Sequence, residues 1–149
     1  MNIVLIAATT LDGKISKHSN EYVDWSLDLK LFKKQTINNT IIMGSTTFKT
    51  LKNKLVNREL IVFNRLMNPQ LILNNIKSKK CFIIGGTKTF SIFSDFYTHL
   101  YITPHPLFFG EKGNSLFESI NFNREIIPQK KVLANKEKKI YQLQYKVCA

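Results

Sequence analysis

Along the chain, short apolar runs alternate with amphipathic stretches. Residues 2–8 form a continuous apolar run rich in Val and Ile, the pattern of a strand buried on both faces. The run breaks over residues 9–16, where Asp12-Gly13 predicts a turn, and residues 18–24 are polar and loop-like. Residues 25–36, WSLDLKLFKKQT, read as a helix capped by Ser26. Leu27 and Leu31 fall on one side of it, and Lys30, Lys33 and Lys34 on the other. A second buried strand at residues 40–43 ends at Gly44, after which Ser45, Thr46 and Thr47 cap a short helix reaching Leu51. A basic loop at residues 52–57 leads to a strand at 59–63, and Pro69 opens a short helix over 69–76. The strand at 80–84 is broken by Gly85-Gly86, a helix follows over 87–93, and a fifth strand at 100–103 is bent away by Pro104 and Pro106. Residues 131–134 and 140–147 flank a turn at 135–138 and predict a C-terminal hairpin.

Strand and helix therefore alternate to about residue 103, and a hairpin follows. That order predicts an α/β fold over residues 1–149 as one domain, a mostly parallel central β-sheet flanked by helices with an antiparallel hairpin at its end. The 149 residues are enough for a proper core, and 44% hydrophobic content with 11 Phe supplies one. Six Gly and four Pro are too few for a disordered or fibrous chain.

Charge widens the list of partners. The formal net charge is +12, from 22 Lys and Arg against 10 Asp and Glu, which suits nucleic acid, a membrane surface or phosphorylated small molecules. The lysines are scattered rather than interleaved with aromatics, so a solvated surface explains them better than a nucleic-acid face does. Cys81 lies in an apolar run and reads as core, and Cys148 is next to last; the two give no disulfide framework. The start of the chain has neither the basic residues nor the apolar length of a signal peptide, and no stretch approaches a membrane span. A cytoplasmic protein is the expectation.

Candidate chemistry gathers at the strand ends, where open α/β sheets bind ligands. Gly44-Ser45-Thr46-Thr47 and Gly85-Gly86-Thr87-Lys88 are both strand–Gly–hydroxyl–helix junctions. Each alone fits a helix cap or tight turn better than a phosphate cradle, while the pair together with Arg65 fits a dinucleotide. There is no GxSxG, no carboxylate couple, and no metal pattern around His18, His99 or His105, so no metal is expected. Asp28 has Leu31 and Phe32 three and four positions on, and no lysine one turn away to pair with. It is either a helix-start anion or a buried acid with a task. One acid, an apolar pocket and a nucleotide point to hydride transfer, in which a cofactor performs the hard step.

Six segments in order then resemble the dihydrofolate reductase family over nearly the whole chain. They are Ile6-Ala7-Ala8, Asp28 with Phe32, Lys33 and Thr36, IIMG-x-x-TF at 41–48, NR-x-x-IV at 57–62, IIGG at 83–86 and LYIT at 100–103. The resemblance implies NADPH as cofactor and 7,8-dihydrofolate as substrate. Asp28 would hold the pteridine through its 2-amino group and N3, with Thr103 bonded behind it. Ile6, Ala7, Phe32, Leu51, Leu55 and Ile84 would line the ring and its aryl linker, and Arg58 would bind the glutamate-tail carboxylate. Ala8, Ile15, Gly44, Ser45, Thr46, Thr47, Asn64, Arg65, Gly85, Gly86, Thr87, Lys88, Thr89 and Phe90 would hold the cofactor. The family also implies a cis Gly85-Gly86 bond, sensitivity to antifolate-type inhibitors, and no membrane or nucleic-acid partner; monomer and homodimer both stay open.

Some segments depart from the family. Ser45 stands where an arginine is frequent, which shifts recognition of the cofactor's extra phosphate toward Arg65 and the nearby lysines. The segment 66–80 is short. LDGKI at 11–15 and PLFFGEKGNSLF at 106–117 resemble instead the riboflavin-pathway reductases, which share the fold and reduce a ribosylamino-pyrimidine phosphate. That reaction is the alternative reading, with a non-catalytic nucleic-acid-binding protein on the same fold as a second.

Overall fold

The computed structural model describes residues 1–18, 21, 23–51 and 55–149. The elements in chain order are β1 (Asn2–Thr10), β2 (Lys14–Ser16), α1 (Leu29–Thr36), β3 (Thr40–Gly44), α2 (Ser45–Lys49), β4 (Glu59–Phe63) and α3 (Pro69–Asn74). They continue with β5 (Lys80–Ile83), α4 (Thr87–Ile92), β6 (His99–His105), β7 (Asn114–Ser115), β8 (Ile126–Asn135) and β9 (Ile140–Val147). Seven strands form one sheet in the order β4-β3-β5-β1-β6-β9-β8, and β2 pairs with β7 apart from it. The five strands from β4 to β6 run parallel, while β9 is antiparallel to β6 and β8 antiparallel to β9. The mostly parallel sheet with a hairpin at its edge is the architecture expected.

The central strands are the runs with no polar interruption, because both of their faces are covered. Alternation along β1 sends Leu5 and Ala7 into the larger core, with Ile42, Phe63, Phe90 and Phe93. Val4 and Ile6 go to the other face, where they meet Phe82 and Tyr101 under Phe32 and Ile84. That second, smaller cluster matters for function, since Ile6, Phe32 and Ile84 also form part of a cleft wall.

Three expectations need correction. The helix begins at Leu29, not at Trp25, and Ser26 does not cap it; the cap position belongs to Asp28, with φ −114° and ψ 14°. Tertiary contacts override helix propensity there. Trp25 packs edge-on against His105 and Phe109, and the Leu27 amide donates to His105, so residues 25–27 stay outside the helix. Second, Pro104 does not end the fifth strand but lies within β6, which runs to His105. The β9 ladder covers only His99 to Ile102, so the missing N–H of Pro104 falls beyond it. Third, the first hairpin arm is the ten-residue β8, not residues 131–134 alone. It is an edge strand, largely exposed and interrupted by two register shifts, and that erased the alternation.

The smaller differences are at element ends: α2, α3 and α4 each stop one or two residues earlier than expected. Strands β2 and β7, of three and two residues, are too short to carry a period. Part of the basic loop at 52–57, residues 52–54, lies outside the described residues. Among the described residues no helix is long and apolar enough to cross a membrane.

Candidate functional site

The carboxyl ends of the central strands open onto a cleft of about 1110 Å³. Every residue expected at the site lines it except Thr103, which is fully buried beside Asp28. The cleft joins two chemically different regions. One holds the acid Asp28 with Phe32, Ile84 and Arg58; the other is built from glycine turns and hydroxyls of β3, β5 and the helices after them.

Asp28 occupies the position at which an aspartate normally accepts the first free amides of a helix, yet it makes no such bond. Asn68, at the same position of α3, accepts from the amides of Gln70 and Leu71 at 2.9 and 3.2 Å. Asp28 therefore does not serve as a cap. It is only 8% exposed, and burial pushes its carboxyl above the usual range. Its own backbone amide and the Thr103 hydroxyl act in the opposite direction, as a positive charge on neighbouring His105 would, and only partly offset burial. The expected hydrogen bond from Thr103 does not close: its hydroxyl lies near enough to favour the ionised acid, but Oγ1 has no partner at bonding distance among the described residues. An acid poised this way, facing a cleft, can exchange hydrogen bonds and charge with a ligand.

The opposite region depends on close backbone approach. The Gly44 amide donates to the Gly85 carbonyl at 2.8 Å, and a Cβ on Gly44 would meet Thr89 Oγ1 at 2.6 Å, so only glycine fits. Gly85 has φ +129°, open to glycine but not to other residues, and the Gly85-Gly86 peptide is cis. Helices α2 and α4 begin at Gly44 and Gly86 with no side-chain cap. Their first amides, the hydroxyls of Thr46, Thr47 and Thr87, and the cations Lys88 and Arg65 thus surround one space suited to an extended anionic ligand. Thr87 is partly committed, donating to the Ser115 carbonyl at 2.7 Å.

Arg58 is half-buried and held by the chain itself. Nε donates to Thr36 Oγ1 at 2.8 Å, Nη1 to the Val56 carbonyl at 3.1 Å and Nη2 to the Lys33 carbonyl at 3.3 Å. A guanidinium has five N–H donors in one plane, so two remain for a carboxylate once these three are used. The anchors hold the guanidinium plane in place, because Thr36 is itself bonded to the Phe32 carbonyl at 2.8 Å within α1.

Sequence reasoning missed several cleft residues. Leu29 and Lys33 share a helix face with Phe32, and their spacing could have found them. Asn114 belongs to β7 and Glu118 to the loop just after it, brought in by the β2–β7 pairing and by a bond from the Glu118 amide to Ser91 Oγ at 3.0 Å. Nothing local signals those two. His105, placed by sequence in a turn-like setting, is 1% exposed next to Asp28. Among the described residues no His, Cys, Asp or Glu cluster could hold a metal ion.

Comparison with known proteins agrees with this geometry. Dihydrofolate reductase of Ureaplasma parvum serovar 3 is 39% identical over 60% of this chain and 65% of its own length. That of Buchnera aphidicola subsp. Acyrthosiphon pisum is 36% identical over 69% of this chain and 71% of its own. The match thus spans about two thirds of the length of these relatives. Dihydrofolate reductase from Enterococcus faecalis, solved in complex with NADP(H) and RAB-propyl, superposes with a TM-score of 0.74 at 24% identity, covering 99% of this chain and 97% of that one. At that identity the likeness is one of fold. A family model described as dihydrofolate reductase matches residues 2–149, and the chain belongs to that family.

Proposed function

We propose that the protein is an NADPH-dependent dihydrofolate reductase, converting 7,8-dihydrofolate to tetrahydrofolate for one-carbon metabolism. One observation carries this reading: a single cleft holds a buried, uncapped acid at one end and a glycine cradle with cations at the other. Gly44, Gly85 and Gly86 expose backbone to the cleft, and Lys88 and Arg65 supply charge for a dinucleotide's phosphates, so the residues present fit NADPH. Bound there, NADPH supplies the hydride for C6 of the substrate.

The chain's own part is binding, orientation and proton placement. Asp28 accepts hydrogen bonds from the pteridine 2-amino group and N3, and its negative charge favours the N5-protonated substrate. The apolar walls from Ile6, Ala7, Phe32, Leu51, Leu55 and Ile84 keep water from the ring, which strengthens that electrostatic effect. Arg58 takes the glutamate-tail carboxylate through its two remaining N–H donors. Ser45 lines the cleft without charge, so selectivity for the 2′-phosphate rests on Arg65.

The test is loss of the NADPH absorbance band on adding dihydrofolate to the purified protein. A second arm supplies a ribosylamino-pyrimidine phosphate, because the LDG turn and the FFGEKG loop that resemble riboflavin-pathway reductases touch through Asp12. Turnover with dihydrofolate alone supports the proposal. Turnover with the pyrimidine alone replaces it, and turnover with neither sinks both.

A further inference from the structure

Of the buried polar side chains that the proposed chemistry leaves unused, His105 is the one joined to the acid. It ends β6, two residues beyond Thr103. Its Nδ1 is 2.8 Å from the Thr103 carbonyl oxygen, which can only accept, so Nδ1 carries the hydrogen. Its Nε2 accepts the Leu27 N–H at 2.9 Å. Those two partners assign a single neutral tautomer. The Trp25 ring meets the imidazole edge-on, with centroids 5.2 Å apart at 89°. Residues 25–28 have no regular secondary structure, so individual contacts rather than a ladder or helix place them. Two other contacts reach this segment's backbone: the Phe32 amide donates to the Asp28 carbonyl at 2.9 Å, tying the end of the segment to α1, and Asn135 Nδ2 donates to the Leu27 carbonyl at 3.5 Å.

We propose that His105 is a positioning residue for Asp28: by accepting the Leu27 amide and seating the Trp25 ring, it fixes residues 25–28 against β6 and so sets where the Asp28 carboxylate stands in the cleft. The inference rests on Asp28 being the group that holds the substrate. An aliphatic side chain would fill the same space but leave the Leu27 amide without its acceptor, and residue 28 would shift with residue 27. A misplacement of about 1 Å at a reacting group costs on the order of 10²-fold in rate.

His105→Leu should therefore lower kcat/KM for dihydrofolate by roughly 10- to 100-fold. NADPH affinity should hold, because the glycine cradle is built on β3 and β5. His105→Gln offers a side-chain carbonyl to the same amide and should restore most of the loss. A role in general stability predicts otherwise: kcat/KM and NADPH affinity would fall together in step with Tm, whichever residue replaced histidine, and that result overturns the proposal. If the Leu variant does not fold, His105→Asn takes its place, since it keeps a donor for the Thr103 carbonyl but falls short of Leu27. Equal activity of the Asn and Gln variants would then refute the assignment. In an Asp28→Asn background the His105→Leu loss should largely vanish, because both changes act through one group, and full additivity counts against the proposal. Asp28→Asn measured alone separates the two readings. If it retains turnover, the substrate-acid reading falls; if it loses turnover while His105→Leu does not, only the positioning role falls.

Discussion

Asp12 and Asp28 are both aspartates outside regular elements, and their surroundings are opposite. Asp12, in the turn after β1, accepts from the Thr10 hydroxyl, from the Gly110 amide at 2.8 Å and from the Phe109 amide at 3.3 Å. The Thr10 bond first, and then the two amides, outweigh partial burial and hold its carboxyl below the usual range. Asp28 is buried, makes no cap bond, and lies above the usual range because of that burial. A carboxylate whose acceptor sites are filled by its own chain is committed to structure: Asp12 ties the β1 turn to the loop after β6. One left short of donors in a cleft keeps its hydrogen-bonding capacity for a ligand. The same residue type thus divides into clamp and reagent by what donates to it.

The largest effect should come from removing the reagent. Asp28→Asn keeps the shape but loses the charge, and turnover of dihydrofolate at neutral pH should fall by roughly 10²–10⁴-fold. NADPH binding should be retained, which quenching of Trp25, the single tryptophan, can report. Wild-type turnover in the mutant would erase the contrast between the two aspartates.

Arg58 combines both characters in one side chain, since three of its donors are committed within the chain while the residue also lines the cleft. Its contact with a carboxylate tail would be alike in ground and transition states, so Arg58→Leu should raise KM and leave kcat nearly unchanged. A charge-assisted pair contributes about 1.5–3 kcal/mol, or roughly 10- to 150-fold in KM. A tail-less dihydropterin should show almost no difference between mutant and wild type. Equal losses on both substrates would place Arg58 with Asp12, as a residue serving the fold.

Much of this was legible in the sequence because it follows from short-range rules. The buried strands announce themselves as apolar runs, and the Gly44 and Gly85-Gly86 breaks mark where backbone must approach backbone. The contrast between the aspartates was not legible. Asp12 sits in an Asp-Gly turn that any loop could hold, and its partners Phe109 and Gly110 lie almost a hundred positions away. Asp28 stands where a helix cap belongs, and only the packing of Trp25 and Leu27 on His105 shows that the helix starts later and the carboxylate turns away from it. Long-range pairing of irregular segments leaves no period to read, which is also why β2, β7 and most of β8 escaped notice.

The smallest effects, on stability, test the comparison most directly because they differ in sign. For Asp28 the folded pKa is raised above its ordinary 3.8, so between that value and the folded one the folded state holds more protons, and stability falls as pH rises through the window. Asparagine escapes this cost. Asp28→Asn should therefore be more stable than wild type at neutral pH, by about 0.5–2 kcal/mol, a common return for replacing a functional group, with the gain shrinking as pH drops toward 3.8. For Asp12 the folded pKa is lowered, so its contribution is present above 3.8 and is lost as pH falls through the folded value. Asp12→Asn should be less stable than wild type at neutral pH, by less than the Asp28 gain because the site is screened by solvent, and should converge on it in acid. Thermal melts followed by circular dichroism across a pH series give both curves. Differences of opposite sign that both narrow toward acid support the division into clamp and reagent; a loss of stability in both mutants would mean that Asp28, too, is held by the fold for its own sake.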